Sequence, residues 1–409
     1  MLIITPEIVA VAIALLSLLW VELVRDCYHA LAHVYQPLYR LHVKHHRVFK
    51  PDLSVVNEKI YRSANWYNDL PESIVMLLFS FAGAEIILSQ GWLSQYEWLV
   101  WTGSLYSLSF AGGAIARGLG IPSADVITDV THRPGDFTSL PSNWFVNRPY
   151  HWRHHFDNQN AYFCGTLSFV DKILGTALSL KGKKIAVTGA SGSLGKALLK
   201  ELYRKGAKVT ALTSKEEELF IQLNQEKLPI KTITWQTGKE SDLLSTLAKI
   251  DILIINHGIN VHQARSEQAI ADSYEINTFS SWRLSELFLQ TVKTNEDKVT
   301  KEIWVNTSEA EVNPAFSPLY ELSKRTLGDL VTLKRLENIC VIRKLILGPF
   351  RSNLNPIGIM SPQWVAKQII NLATRDFRDI IVTINPLTYL TFPLKEFAVS
   401  SYFKLFTKP

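Results

Sequence analysis

At 409 residues, with 47% hydrophobic content and eleven tryptophans, the chain exceeds what one compact domain needs and is richer in apolar residues than most soluble domains, so at least two domains are expected. Its three cysteines, Cys27, Cys164 and Cys340, lie far apart without a CxxC pair; this excludes a disulfide framework and a thiolate metal site and fits a reducing compartment. The formal charge of +6 comes without a long basic run interleaved with aromatics, so no nucleic-acid partner is expected.

The chain opens on IVAVAIALLSLLW (8–20), continued by Val21, Leu23 and Val24, with Glu22 as its only charge. This predicts a membrane span over about residues 5–24. No Lys or Arg precedes it in MLIITPE, against a cleaved secretory signal. Two further spans are predicted at 73–89 and 97–117. The loop after the first carries Arg25, Arg40, Lys44, Arg47 and Lys50, whereas the loop between the second and third has no Lys or Arg. Positive-inside then makes the chain a multi-pass integral membrane protein, with residues 25–72 and 118–409 on the cytoplasmic side. The alternative, buried helices of a soluble protein, is suggested by the shortness of the second segment and by its Glu85.

Histidines crowd between the first two spans. His29 and His33 are four apart, which stacks them on one helical face. His42, His45 and His46 form HxxHH, and His151, His154 and His155 repeat it in HWRHH; offsets of three and four place each set on one face. Eight neutral imidazoles suffice for about four on each of two metal ions, and nitrogen ligands suit iron and zinc alike. Thiolates are oxidised where oxygen is activated, so an all-nitrogen site is chemically coherent there. His132 is a candidate ninth ligand; the alternative is a loop histidine hydrogen-bonded to Asp136 or Asp129. Asp125, Asp129 and Asp157 are candidates to orient imidazoles from behind.

With its boxes HALAH, HVKHH and HWRHH, and with FDNQNAYFCGTLSFVDKILGT after the third, the chain resembles the fatty acid hydroxylase and sterol desaturase superfamily over residues 1–180. The resemblance implies an all-α membrane domain with a centre of two iron ions. Such a centre uses O2 and a separate electron donor to hydroxylate or desaturate a lipid.

Near KGKK (181–184) the pattern changes to short β-rich runs, KIAVTG, AKVTALT, IKTITWQ, DILIIN, EIWVNTS and ICVIRKLIL, alternating with helical stretches. This predicts an α/β doubly wound parallel sheet. The first strand runs into TGASGSLG, where Gly189, Ser191, Gly192, Ser193, Leu194 and Gly195 would bring backbone amides and a helix N-terminus to a pyrophosphate. Downstream, Tyr320 and Lys324 form YxxxK, with Thr307 and Ser308 shortly before them at a strand end. A lysine one turn from a tyrosine can lower the phenol pKa toward a usable acid or base.

These residues make 182–385 resemble the short-chain dehydrogenase/reductase family, a Rossmann-type domain that moves a hydride and a proton with NAD(P). Carried over, Asn256 and Gly258 of INHG flank the cofactor and Asn277 joins a proton relay. Ser308 polarises the carbonyl, Tyr320 transfers the proton, and Lys324 holds the ribose and tunes Tyr320. The chain departs from the family in its TGxxGxxG spacing, in His257 where alanine is usual, and in Ser308, one residue nearer Tyr320 than is common. After the second predicted strand Ser214 and Lys215 stand where an acidic residue would select NAD, so NADP(H) is expected; a small shift of register would place Glu216 to Glu218 there instead.

The tail from 386 to 409 mixes aromatics with Lys395 and Lys404, as an amphipathic interfacial segment would; a substrate lid or simple packing on the sheet are the alternatives. Together the halves predict a membrane-bound bifunctional oxidoreductase of lipid metabolism, joining di-iron hydroxylation or desaturation of an acyl, sterol-like or isoprenoid lipid to alcohol/carbonyl interconversion. Conversion of a fatty aldehyde to an alkane, as in plant wax proteins of similar layout, is one alternative. A membrane hydroxylase carrying a non-catalytic NADPH-sensing domain is another.

Overall fold

The computed structural model describes residues 5–91, 93–223 and 226–408, and the chain divides into two compact units, Met1–Ala177 and Leu178–Pro409. In the first, helix α1 (Pro6–Val34) starts with Pro6 in its first turn beside Glu7 and ends where Tyr35 turns extended, two residues before Pro37 opens α2 (Gln36–His46). It runs ten residues beyond the span expected at 5–24, so His29 and His33 ride on the same helix. Asn57 caps α3 (Glu58–Ala64) by accepting from the Lys59 amide. A π-turn over Asn65–Asp69 leads into α4 (Leu70–Ser89). Helix α5 (Thr102–Leu119) stops at Gly120, whose φ of 75° only glycine adopts readily.

The stretches Pro6–Val34, Glu58–Ser89 and Ser94–Leu119 each contain an 18-residue window, of mean hydropathy 2.3, 1.7 and 1.2, and are long and apolar enough to cross a membrane. They approach closely: a Cβ on Gly103 would lie 2.7 Å from the Ser17 carbonyl oxygen, and the Ser17 hydroxyl donates to the Val100 carbonyl at 2.7 Å. Leu16, Leu78 and Leu105 point outward. Helix α6 (Arg148–Phe156), capped by Asn147, carries the third histidine box.

The second unit is a sheet of eight strands in the order β3-β4-β2-β1-β5-β6-β7-β8. Its strands are β1 (Lys184–Thr188), β2 (Lys208–Thr213), β3 (Leu219–Leu223), β4 (Glu226–Thr234), β5 (Ile252–Ile255), β6 (Glu302–Asn306), β7 (Val341–Leu347) and β8 (Asp379–Val382). All pairs are parallel except β3 with β4. Helices α7 (Ser193–Arg204), α8 (Glu267–Tyr274), α9 (Ser280–Leu289), α10 (Pro318–Arg335), α11 (Pro362–Thr374) and α12 (Thr388–Phe406) complete it. Alternating side chains divide the core into two layers. Ile185 and Val187 pack toward Leu198 of α7 and Ile369 of α11, while Leu253 and Ile255 pack toward Phe288 of α9 and Leu327 of α10. The order reverses at β1, between β2 and β5, the crevice at which open α/β sheets bind ligands.

Strands β3 and β8 are absent from the sequence expectation. The acidic run Glu216 to Glu218 disguises the start of β3, whose Leu219 and Ile221 are buried while Phe220 faces out; β8 has only four residues. The segment 386–409, expected as an amphipathic tail, contains α12, which belongs to the second unit.

Candidate functional sites

In the first unit the histidines converge. His29, His33, His42, His46 and His154 form one group and His45, His132, His151 and His155 a second, with one ring nitrogen of each residue within 4.8 Å of the others in its group. Neighbouring Nε2 atoms stand 2.9–3.4 Å apart in the first group and 2.9–3.1 Å apart in the second. Two nitrogens bound at right angles to one ion at about 2.1 Å lie about 3.0 Å apart. Hydrogen bonding alone does not explain the clusters, because each neutral imidazole has one proton and here several Nε2 atoms aim at one point. The donor set therefore fits a pair of metal ions. The groups abut, with the His46 and His155 rings 4.9 Å apart.

The HxxHH boxes do not act as single faces, as the spacing suggested. His42 and His46 go to one group and His45 to the other; His151 and His155 go to one and His154 to the other. Consecutive helical residues differ by about 100° in direction, so adjacent histidines part company.

Behind the rings lie groups that fix their tautomers. His42 Nδ1 donates to Asn68 Oδ1 at 2.8 Å, His154 Nδ1 to the Ala161 carbonyl at 2.8 Å, and His132 Nδ1 to Asp129 Oδ1 at 2.5 Å. Each leaves Nε2 with its lone pair toward the group's centre. His132 thus combines both expectations, bonded to Asp129 on one side and facing His151 and His155 on the other. Asp157 instead accepts from the Tyr162 hydroxyl at 3.0 Å, and Asp125 lends its backbone carbonyl to the Asp129 amide. Asn68 has no signal in the sequence; the π-turn aims it at His42. The segment after the third box wraps Asp171, which accepts from Tyr150 Oη at 2.9 Å and from the Phe163 and Cys164 amides.

Burial first, and then the neighbouring imidazoles, hold His45, His151, His154 and His155 well below the usual histidine range. Neutral rings are the form that binds metal. Burial raises Asp129, but the electrostatic attraction and hydrogen bond of the His132 N–H, with Arg117 nearby, outweigh it and bring the carboxyl to about 2.

In the second unit the glycine turn leaves β1. Gly189 has φ 61°, and a Cβ there would lie 2.9 Å from His257 Cα; one on Gly195 would lie 2.2 Å from the Gly189 carbonyl oxygen. Gly192 is the N-cap of α7 and offers no side-chain cap, so the first amides of α7, with Ser193 and Leu194, remain available to an anion. Thr213 Oγ1 donates to Ser191 Oγ at 3.0 Å, tying the end of β2 to the turn, and the exposed Ser214 and Lys215 are the next residues. A side chain at Gly189 or Gly195 would collide with the backbone of the β5 loop or of the turn itself, so the tight path of the turn past the first amides of α7 depends on these glycines.

Across the crevice, Asn256 Oδ1 accepts from Asn306 Nδ2 at 3.0 Å. Thr188 Oγ1 accepts from the Asn256 and His257 amides. Asn277 sits in a second π-turn, Glu275–Phe279, where it accepts from the Ile259 amide at 2.8 Å and donates to Ser323 Oγ at 3.0 Å. A Cβ on Gly258 would meet Asn277 Oδ1 at 2.9 Å and Lys324 Nζ at 3.8 Å, so Gly258, Asn277 and Lys324 converge. Lys324 Nζ donates to the Asn306 carbonyl at 2.9 Å. Ser308 Oγ accepts from the Ala310 amide at 3.1 Å. Thr307, at the more common spacing, is fully buried with no hydrogen-bond partner for its hydroxyl.

At Tyr320 two influences on the phenol oppose each other. Burial pushes the phenol up, opposed by the hydrogen bond with Ser308, and Lys324 Nζ lies 6.0 Å from the ring centre. Burial also lowers Lys324 to about 8, against the raising effect of Glu311. His257 is pressed down to about 3 by burial and then by Lys324, and its Nδ1 meets Thr188 Oγ1 at 2.9 Å.

Residues 183–338 match the family model of the short chain dehydrogenases. Among curated proteins the chain is similar to the monoglucosyldiacylglycerol epimerase of Synechocystis sp., 62% identical over 405 residues and 98% of each chain. It is also similar to the 3-oxoacyl-(acyl-carrier-protein) reductase FabG of Rickettsia bellii, 34% identical over 85 residues, 20% of this chain and 35% of that one. Among solved structures, an alcohol dehydrogenase of Thermococcus sibiricus complexed with 5-hydroxy-NADP has 19% identity and a TM-score of 0.43, covering 50% of this chain and 96% of that one. A short chain dehydrogenase of Burkholderia cenocepacia in complex with NADP has 17% identity and a TM-score of 0.45, covering 56% and 100%.

Proposed function

The chain belongs to the family of the Synechocystis monoglucosyldiacylglycerol epimerase, and from that premise we propose that it is an integral membrane enzyme that inverts one hydroxyl-bearing carbon of a glucosyl lipid headgroup. The observation that carries the reading is identity of 62% over an alignment that covers 98% of both chains and so spans both units.

The second unit supplies chemistry suited to inversion. NADP(H), held by the Gly189–Gly195 turn with Ser214 and Lys215 at the end of β2, would supply a hydride acceptor and donor. Tyr320 takes the proton from the sugar hydroxyl as its carbon loses hydride, and Ser308 holds the resulting ketone oxygen. Lys324 fixes the ribose, and Asn277 and Ser323 hold the groups behind it. Once the ketone has turned its other face to the cofactor, which would return the hydride, Tyr320 gives the proton back. The sum consumes no oxidant. The two histidine groups of the first unit would hold two metal ions.

The test is incubation of the purified full chain with a glucosyl diacylglycerol deuterated at its ring carbons. The reading expects a changed sugar with deuterium retained and no net NADPH oxidation, all lost in Tyr320→Phe. A product with unchanged sugar would overturn it, and a Tyr320→Phe variant of full activity would make the second unit a sensor.

A second reading rests on the nine-imidazole, thiolate-free donor set: the first unit hydroxylates or desaturates a lipid at two iron ions, with O2 as oxidant and a separate protein as electron donor. It expects oxygen uptake and a product gaining one oxygen or losing two hydrogens.

A further inference from the structure

Helix α12 has its polarity inverted. A helix on the surface of a water-soluble domain buries its apolar face and exposes its charges. Here Thr388, Phe392 and Glu396 face the domain, and the charged pair at mid-helix is held inward by a network. Lys344, fully buried, donates to Glu396 at 2.6 Å and to Thr332 at 2.8 Å. Arg335 meets Glu396 at 3.1 Å, and Lys395 lies 2.8 Å from Glu311 and 2.6 Å from Asp329. This network fixes the rotation of the helix. The face left outside is apolar: Leu390, Leu394, Phe397 and Leu405 are 63%, 62%, 74% and 78% exposed. Their offsets of three, four and eight residues form one stripe.

Charge on this face has one sign. Between 387 and 408 the only acid, Glu396, is turned inward, whereas Lys404 and Lys408 are exposed. Cations flanking an apolar stripe suit a bilayer interface with anionic headgroups, and the same chain carries three helices able to cross a bilayer.

The stripe also begins beside the Tyr320 site. The connections after β6, β7 and β8 all leave the C-terminal edge of the parallel sheet, where ligands bind. Two of them carry fully presented apolar side chains, Phe316 at 94% and Ile357 at 90% exposed. Glu309, next to Ser308, accepts from Thr383 at 2.6 Å and from Thr388 at the start of α12 at 3.1 Å. Asn313 donates to Thr388 Oγ1 at 2.8 Å.

We propose that the outward stripe of α12 lies in the interface of the lipid bilayer, seating the mouth of the Ser308–Tyr320 site on the membrane surface. A glycolipid headgroup can then enter the site while its acyl chains stay in the bilayer. This last step rests on the epimerase reading; the docking itself does not.

The test uses the full chain in vesicles of phosphatidylcholine and phosphatidylglycerol. Cys27 is replaced by serine, since Cys164 and Cys340 are buried. Nitroxide labels are placed through Leu394→Cys, Phe397→Cys and Leu405→Cys, with Lys249→Cys, exposed at the opposite edge of the sheet, as control. Collision with oxygen is expected to dominate over collision with a water-soluble nickel complex at the three stripe positions, and the reverse at the control. Stripe labels as open to nickel as the control would overturn the proposal. So would stripe labels shielded from both reagents with spin–spin broadening, which would mean that a second copy covers the face. Loss of epimerisation with the depth signature intact would sink the function reading alone.

Discussion

His29 and His154, 125 positions apart in the chain, bring their Nε2 atoms to 3.0 Å. Because His154 gives its ring proton to the Ala161 carbonyl, its Nε2 lone pair points into a set of five converging imidazoles, an arrangement that a shared ion would satisfy and one pairwise hydrogen bond does not. Replacing His154 and His155 together by alanine removes one imidazole from each group. Mass spectrometry of bound metal should then fall well below two ions per chain; retention of two would end the metal assignment.

The outer partners should separate the two sites. Asn68→Ala frees His42 and weakens the first site, while Asp129→Ala frees His132 and weakens the second, each by about 10–100-fold in metal affinity. Chelator titration of each variant should therefore release one ion early and keep the other.

Ser308 and Thr307 make opposite predictions. Ser308→Ala removes a hydroxyl in contact with Tyr320 and should lower kcat by about 10²-fold or more. Thr307→Val replaces a buried hydroxyl that lacks a partner and should leave kcat within a few-fold, with unchanged or raised thermal stability.

Lys324 sets a pH limit. Its pKa is lowered to about 8 in the folded chain, against about 10.4 when unfolded. Between those values the unfolded chain binds more protons, so stability of the cofactor-free protein should rise with pH through that window. Dinucleotide binding, which uses the ammonium, should weaken above about pH 8. Titration of the cofactor by fluorescence checks this, and in Lys324→Arg the weakening should disappear because arginine keeps its charge.

The buried cation under α12 should be costly to remove. Lys344→Met leaves Glu396 and Glu311 with fewer partners in a dry site, for a loss of about 3–5 kcal/mol. Urea unfolding would show it, with early proteolysis of α12 as the local sign.

Several features were legible in the sequence because their signal is local. Three apolar runs specify helices of spanning length, and the glycine turn and YxxxK specify groups along one strand–turn–helix and one helix. What escaped were relations of direction and distance. HxxHH looks like one face until the 100° step between His45 and His46 sends them to different groups. Asn68 carries no motif, and its role exists only because a π-turn aims it at His42. Strand β3 was hidden by Glu216 to Glu218, since charge at an edge strand's entrance is read as loop.

The sequence by itself determined the chemical inventory: eleven histidines with nine available as ligands, no paired thiolates, a phosphate-binding turn and a Tyr–Lys pair, because residue type and short-range spacing fix those. Only the tertiary structure decided how the inventory is used. It divided the histidines five and four and drew His132 in from a loop. Finally, it turned the charges of α12 inward, since Lys344, Glu311 and Arg335, which hold them there, come from distant parts of the chain that meet only when the sheet forms.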